Sequence, residues 1–176
     1  GVVHNGIKLH EQAIKALNEL LKMDKDFVLL TNAPRPIQTV KIILEKMGME
    51  EKLRNCVFTS GEASLSYIKK EYEFKKFYHV GPSRDFDLFK DFKNYKSNRK
   101  DDCEYLLCTG LFDEKDKDLN YYKKLFEKHV EKKMICTNPD LIVDKGSKRE
   151  MCAGSVAMVF EKIGGKVVYF GKPYPE

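Results

Sequence analysis

The chain has 176 residues, of which 42% are hydrophobic and 34% charged, with both signs interspersed. That profile is globular and allows one ordinary core or two small ones. A net charge of +5 suits an anionic small ligand or a weak nucleic-acid contact and decides neither. No apolar run approaches the ~18 residues of a membrane span, and no secretory signal is visible, so a cytoplasmic protein without a membrane partner is expected.

In chain order, residues 10–23 (HEQAIKALNELLKM) carry Ala13, Ile14, Leu17, Leu20 and Leu21 at helical spacing. DFVLL, a short β-rich run, follows. PIQTVKIILEKMG then sets Ile37, Val40, Leu44 and Met47 on one stripe, with Pro36 at a first turn and Gly48 at a C-terminal cap. NCVFTS predicts a strand and ASLSYIKKEY a helix. KFYHV, EYLLC, KMICT and KVVYF predict four more strands, and the last three are separated by residues 117–133 and 149–165, both helical in period. Strands alternating with helices predict parallel α/β layers. The five cysteines (Cys56, Cys103, Cys108, Cys136, Cys152) form no CxxC pair and leave one over in any pairing scheme, which reads as thiols in a reducing compartment.

Residues 89–102 (FKDFKNYKSNRKDD) are basic and turn-rich, with Phe89, Phe92 and Tyr95 three apart. An amphipathic helix fraying into a solvated loop is the plain expectation. An aromatic and basic nucleic-acid face would need a second such stripe, and the sequence has none.

Two strand ends carry chemistry suited to anions. VLLTNAPRP stops an apolar run on Thr31 and Asn32 just before a helix, where a hydroxyl, backbone N–H groups and a helix N-terminus make an anion cradle. The same residues also serve as an ordinary helix cap. KVVYFGKPYPE ends a second strand on Gly171, Lys172 and Pro173, which offers either a point charge for a phosphate or a turn lysine. His4, His10, His79 and His129 have no metal-like spacing.

Four ordered pieces, GVVHNG, LLTNAPRP, TNPDLIVDKG and CAGSVAMVFEKIGGKVVYFGKPYPE, with TSGEAS between the second and third, resemble the haloacid dehalogenase (HAD) superfamily. The branch is subfamily IIA, which contains pyridoxal-phosphate-phosphatase-like and nitrophenylphosphatase-like proteins. The resemblance implies a Rossmann-like parallel-sheet core, residues 1–74 plus 165–176, with an inserted α/β cap at 75–164. It implies a Mg2+-dependent phosphatase of small phosphorylated metabolites, working through a phosphoaspartate intermediate. Thr31 would hold the transferring phosphoryl group, Asn32 would position it, and Lys172 would neutralise its charge. Asn5, Gly6, Ala33, Arg35, Asn138 and Asp140 would line the substrate site, with His4 on the same loop as Asn5. Arg35 remains either a substrate contact or a helix-start arginine, and Asn138 either a gating residue or an Asx turn. Gly154 and Ser155 would open a cap helix near the substrate. The implied nucleophile lies immediately before Gly1 and the implied magnesium ligands lie beyond Glu176. No metal ligand is therefore expected within the 176 residues, and the chain by itself is expected to be inert. The alternative is a non-catalytic HAD-fold protein that binds a phosphorylated ligand. A homo-oligomer is compatible with either.

Overall fold

The computed structural model describes residues 2–115, 117–146 and 148–175. Helix α1 (Glu11–Lys22) leads into strand β1 (Leu29–Thr31), helices α2 (Ile37–Lys46) and α3 (Glu51–Arg54), strand β2 (Val57–Thr59) and helix α4 (Ser60–Glu71). β1 and β2 pair in parallel, with Thr31 opposite Thr59 at their carboxyl ends. Ile14, Leu17 and Leu21 of α1 pack on Val40, Leu44, Met49, Leu53 and Val57, so the stripes on α1 and α2 both serve this core.

The second part of the chain builds a five-stranded sheet. Its strands are β3 (Phe77–Val80), β4 (Lys96–Ser97), β5 (Tyr105–Cys108), β6 (Lys133–Cys136) and β9 (Lys166–Tyr169), in the order β4-β3-β5-β6-β9 and all parallel. Helices α5 (Leu119–Phe126) and α6 (Ala153–Lys162) cover one face through Tyr122, Phe126, Val156 and Phe160. Ile68 of α4, with Leu88 and Phe89, covers the other. Because both faces are packed, the central strands are continuous apolar runs rather than alternating ones. A hairpin, β7 (Ile142–Lys145) with β8 (Lys148–Met151), projects between β6 and α6. The strand Lys166–Tyr169, grouped with residues 1–74 in the division read from the sequence, makes its ladder with β6.

Two segments differ from expectation. Residues 90–95, within the stretch 89–102 expected to start as an amphipathic helix, form 3-10 turns, and so do residues 83–88 before them. The chain kinks at Phe89 and again at Phe92, whose φ/ψ of −123°/17° and −126°/26° leave the helical region. Phe89 and Phe92 thereby both reach the Phe77 ring, at centroid distances of 5.4 Å, and Phe89 is buried. The aromatic stripe faces the core. The helix expected over 149–165 begins only at Ala153, because Lys148–Met151 pairs with Ile142–Lys145, tied by Arg149 Nε donating to Asp144 Oδ1 at 2.9 Å. All five cysteines are free; four are buried and Cys56 is half-buried.

Candidate active site

The carboxyl end of β1 meets the segment after β9. Asn32 makes this junction: its Nδ2 donates to the Lys172 carbonyl at 3.0 Å and to Asp140 Oδ1 at 2.9 Å, while its Oδ1 accepts from the Lys172 N–H at 2.8 Å. One amide thus fixes residues 108 and 140 positions away in sequence. Lys172 Nζ donates to the Leu30 carbonyl at 3.0 Å, beside Thr31. Thr31 Oγ1 accepts from the Ala33 N–H at 3.3 Å, which turns the chain after the strand. Gly171 has φ of +111°, and a Cβ there would lie 2.6 Å from Asn32 Oδ1, so only glycine lets the two strand ends meet.

The turn after β2 supports this end. Ser60 Oγ donates to the Thr137 carbonyl at 2.6 Å, and the Gly61 N–H donates to the Ala33 carbonyl at 3.1 Å. Thr59 Oγ1 caps α4 by accepting from the Glu62 N–H at 3.0 Å and donates to the Arg35 carbonyl at 2.7 Å. Glu62 in turn accepts from the Ile37 N–H, the first of α2, at 3.2 Å. Each bond satisfies a backbone group that a strand or helix end would otherwise leave open.

A cavity of about 720 Å3 opens here, bounded by Thr31, Asn32, Ala33, Asp140 and Lys172, with Gly6 and His4 across it. Burial pushes the His4 imidazole below its ordinary value, and its Nδ1 accepts from the Gly6 N–H at 2.9 Å. Asn5 is spent on a local turn, its Oδ1 accepting from the Ile7 and Lys8 N–H groups at 3.0 and 2.9 Å. Asn138 forms the Asx turn, accepting from the Asp140 N–H at 3.0 Å, and still borders the cavity. Gly154 abuts the carbonyls of Pro139 and Asp140, so its missing side chain seats α6 against the turn that carries Asp140.

Arg35 lies elsewhere. It borders a second cavity of about 920 Å3, and its guanidinium sits 3.4 Å from the buried Asp85 carboxylate on the 3-10 turn after β3. Burial pushes the Asp85 carboxyl up, and Arg35 opposes that shift. Behind Asp85, Thr109 Oγ1 lies 2.9 Å from His79 Nε2, and burial drives the His79 imidazole down to about 3. Sequence reasoning missed Ser60, Gly171 and Asp85 as parts of this architecture. Ser60 lies in the TSGEAS piece and Gly171 in GKP, so both were visible as motif letters without a role. Nothing in the sequence around Asp85 announces its partner.

The magnesium ion that the resemblance implies would need a set of oxygen donors at the first cavity. Among the described residues no group of three His, Cys, Asp or Glu side chains is placed to hold a metal ion. The two carboxylates at the first cavity are engaged elsewhere, Asp140 with Asn32 and Asp144 with Arg149. These residues do not fit the ion. No helix among the described residues is long and apolar enough to cross a membrane.

A parallel α/β architecture gathers a lysine, a threonine and an asparagine at two strand ends, a donor chemistry suited to an anion. The chain belongs to the haloacid dehalogenase-like hydrolases, whose family model matches residues 1–93. The structure is similar to that of a hydrolase of the haloacid dehalogenase-like family from Brucella suis 1330, at 29% identity and a TM-score of 0.88, covering 99% of this chain and 64% of that one. It is also similar to NagD from E. coli K-12, at 22% identity and a TM-score of 0.66, covering 99% and 67%. A 4-nitrophenylphosphatase from Thermotoga maritima matches at 22% identity and a TM-score of 0.65, covering 96% and 65%. The last two likenesses concern the fold. The chain spans less than two thirds of the length of the Brucella hydrolase. No curated protein matches the sequence.

Proposed function

We propose that this chain supplies the phosphoryl-recognition site of a phosphatase acting on small phosphorylated metabolites. The observation that carries the reading is the Asn32 clamp, whose side chain bonds both the carbonyl and the N–H of Lys172, with Asp140 as a further partner, and so presents Lys172 beside Thr31. A phosphoryl group entering the first cavity takes the Thr31 hydroxyl, with the Ala33 N–H, now on Thr31 Oγ1, available to turn to it. Lys172 Nζ exchanges the Leu30 carbonyl, a neutral acceptor, for an anionic oxygen, which makes a stronger charge-assisted bond. Charges fixed on the phosphoryl oxygens are the main lever in this chemistry, because they meet charge that spreads over those oxygens in the transition state. In this reading the attacking carboxylate is an aspartate adjoining Gly1 on its N-terminal side, and the five-stranded unit acts as the cap that faces the leaving group.

The test is phosphate release from 4-nitrophenyl phosphate, with Mg2+ and with a chelator, by the 176 residues extended on both sides by the residues their gene encodes. A Lys172→Ala copy runs beside it. The expected result is Mg2+-dependent turnover that falls at least ~100-fold in the variant, the usual cost of one lost oxyanion donor. Phosphate binding without turnover in the folded, extended protein would instead support the non-catalytic ligand-binding reading.

A further inference from the structure

The second cavity has no part in holding the phosphoryl group, yet it is the larger of the two. It lies at the carboxyl ends of the five-stranded parallel sheet, where strand order reverses: from β3 the chain goes to β4 on one side and then to β5 on the other. The loops after β3 and β5 therefore leave towards opposite faces, and Pro82, Asp85, Thr109 and Gly110 border the crevice between them. Such reversal points are where parallel α/β sheets accept ligands.

Cations outnumber carboxylates on its wall by five to three, and of the carboxylates only Glu150 has no ion-pair partner among the described residues. Arg35, Arg84, Lys117, Lys148 and Arg149 border it, against Asp85, Asp113 and Glu150. Asp85 is already paired with Arg35, and Asp113 with Arg84 at 3.7 Å while also accepting from the Ser83 N–H and hydroxyl. Arg149 is held by Asp144. Lys117, from the β5–α5 connection, and Lys148, from the hairpin, have no ion-pair partner among the described residues. Low-dielectric walls around a surplus of one sign concentrate the opposite charge. The two cavities are also neighbours, because Asn138 and Val143 line both.

We propose that this cleft is a second anion subsite, so that the protein's ligand is a phosphate monoester whose far end carries a carboxylate or a second phosphate. The inference rests on the phosphoryl-site reading above and adds the substrate class to it. The phosphoryl group occupies the Thr31–Lys172 end. The body of the ligand passes Asn138 and Val143, and its far anion is met by Lys117 and Lys148. Asp85 keeps Arg35 on the wall of this passage rather than in the first cavity.

The experiment is calorimetric titration of the 176-residue chain with two pairs of ligands that differ only in the far group. One pair is 3-phosphoglycerate and glycerol 3-phosphate; the longer pair is 6-phosphogluconate and glucitol 6-phosphate. A bisphosphate, propane-1,3-diol bisphosphate, separates a far phosphate from a far carboxylate. At least one doubly anionic ligand is expected to bind about ten-fold more tightly than its neutral-ended counterpart, a charge-assisted bond's worth of discrimination. In a Lys117→Gln/Lys148→Gln chain, checked for an unchanged melting curve, that ratio falls towards one. In Lys172→Ala both members of a pair weaken together and the ratio persists. Equal affinities within every pair overturn the second subsite and leave the phosphoryl site standing. A preference that survives the double lysine change overturns it too, since the discrimination then arises elsewhere. No binding by any ligand, with no difference in Lys172→Ala, overturns both readings at once.

Discussion

In β5 every residue is buried, whereas β1 leaves Leu30 55% exposed and its neighbour Val28 62% exposed. The five-stranded unit packs a layer on each face of its sheet, while β1 and β2 form a two-stranded ladder with one packed side. Yet the proposed phosphoryl-site residues Thr31, Asn32 and Ala33 lie at the end of the lightly buried strand, with Asn32 fixed by polar bonds to Lys172 and Ala33 by bonds from Ser60 and Gly61. Stability and site geometry are thus assigned to different parts of the molecule: apolar area holds one sheet, and directional bonds to backbone groups hold the working end of the other. Substitutions should separate the two.

The largest effect is expected inside the five-stranded unit. Phe77 is fully buried and touches the rings of Phe89, Phe92 and Tyr105. Phe77→Ala removes that area and leaves a cavity, at a cost of about 3–5 kcal/mol in urea unfolding. A cost below ~1 kcal/mol would mean that this core is far looser than its burial indicates.

Next comes His79, whose imidazole is held neutral mainly by burial, with Lys96 adding to the effect. Its folded value of about 3 lies below the unfolded one, so above roughly pH 6.5 both states are neutral and the residue adds no pH dependence. As pH falls below that, the unfolded chain takes up the proton first, and stability declines by about 1.4 kcal/mol per pH unit until the folded group also titrates. Replacing it, His79→Gln, should remove that slope between pH 6 and about 4 and leave the slopes of the carboxylates unchanged. An identical pH profile in the variant would show that His79 is hydrated in solution.

Much of this division was legible in the sequence. The central strands read as unbroken apolar runs because both their faces are covered, and α1 and α2 showed their stripes because each has one packed face. The 3-10 turns escaped notice because Phe89, Phe92 and Tyr95 fit the start of an amphipathic helix as well as a period of three. The β7–β8 hairpin was hidden by its charged stretch from Lys148 to Glu150, whose strand character rests on pairing across the turn with Val143, Asp144 and Lys145. At the site, Thr31, Asn32 and Lys172 were visible as residue types at strand ends. Which groups bond was not, since the Asn32–Lys172 contact joins segments 140 residues apart. Arg35 sat in a motif suggestive of substrate contact, and its Asp85 partner is set by tertiary placement alone.

A smaller effect is expected at the meeting point of the two units. Gly171→Ala adds a methyl at positive φ, 2.6 Å from Asn32 Oδ1, and costs about 1–3 kcal/mol of strain. Because the clash falls on the clamp, the loss of affinity for inorganic phosphate should exceed that of an Asn32→Ala chain of equal stability. A variant that loses stability but keeps its phosphate affinity would detach the clamp from the site.

The smallest effect sharpens the comparison from the other side. Leu30 contributes its carbonyl to Lys172 through the backbone, while its side chain is more than half exposed. Leu30→Ser keeps that carbonyl, and as an exposed substitution it should move stability by no more than about 0.5 kcal/mol. Phosphate affinity should not change, since the donor to Leu30 O and the Asn32 clamp both remain. A destabilisation approaching the Phe77→Ala value would show that this face of β1 is covered in solution. The contrast between a finished sheet and a lightly packed one would then hold for these 176 residues in isolation and not for the protein at work.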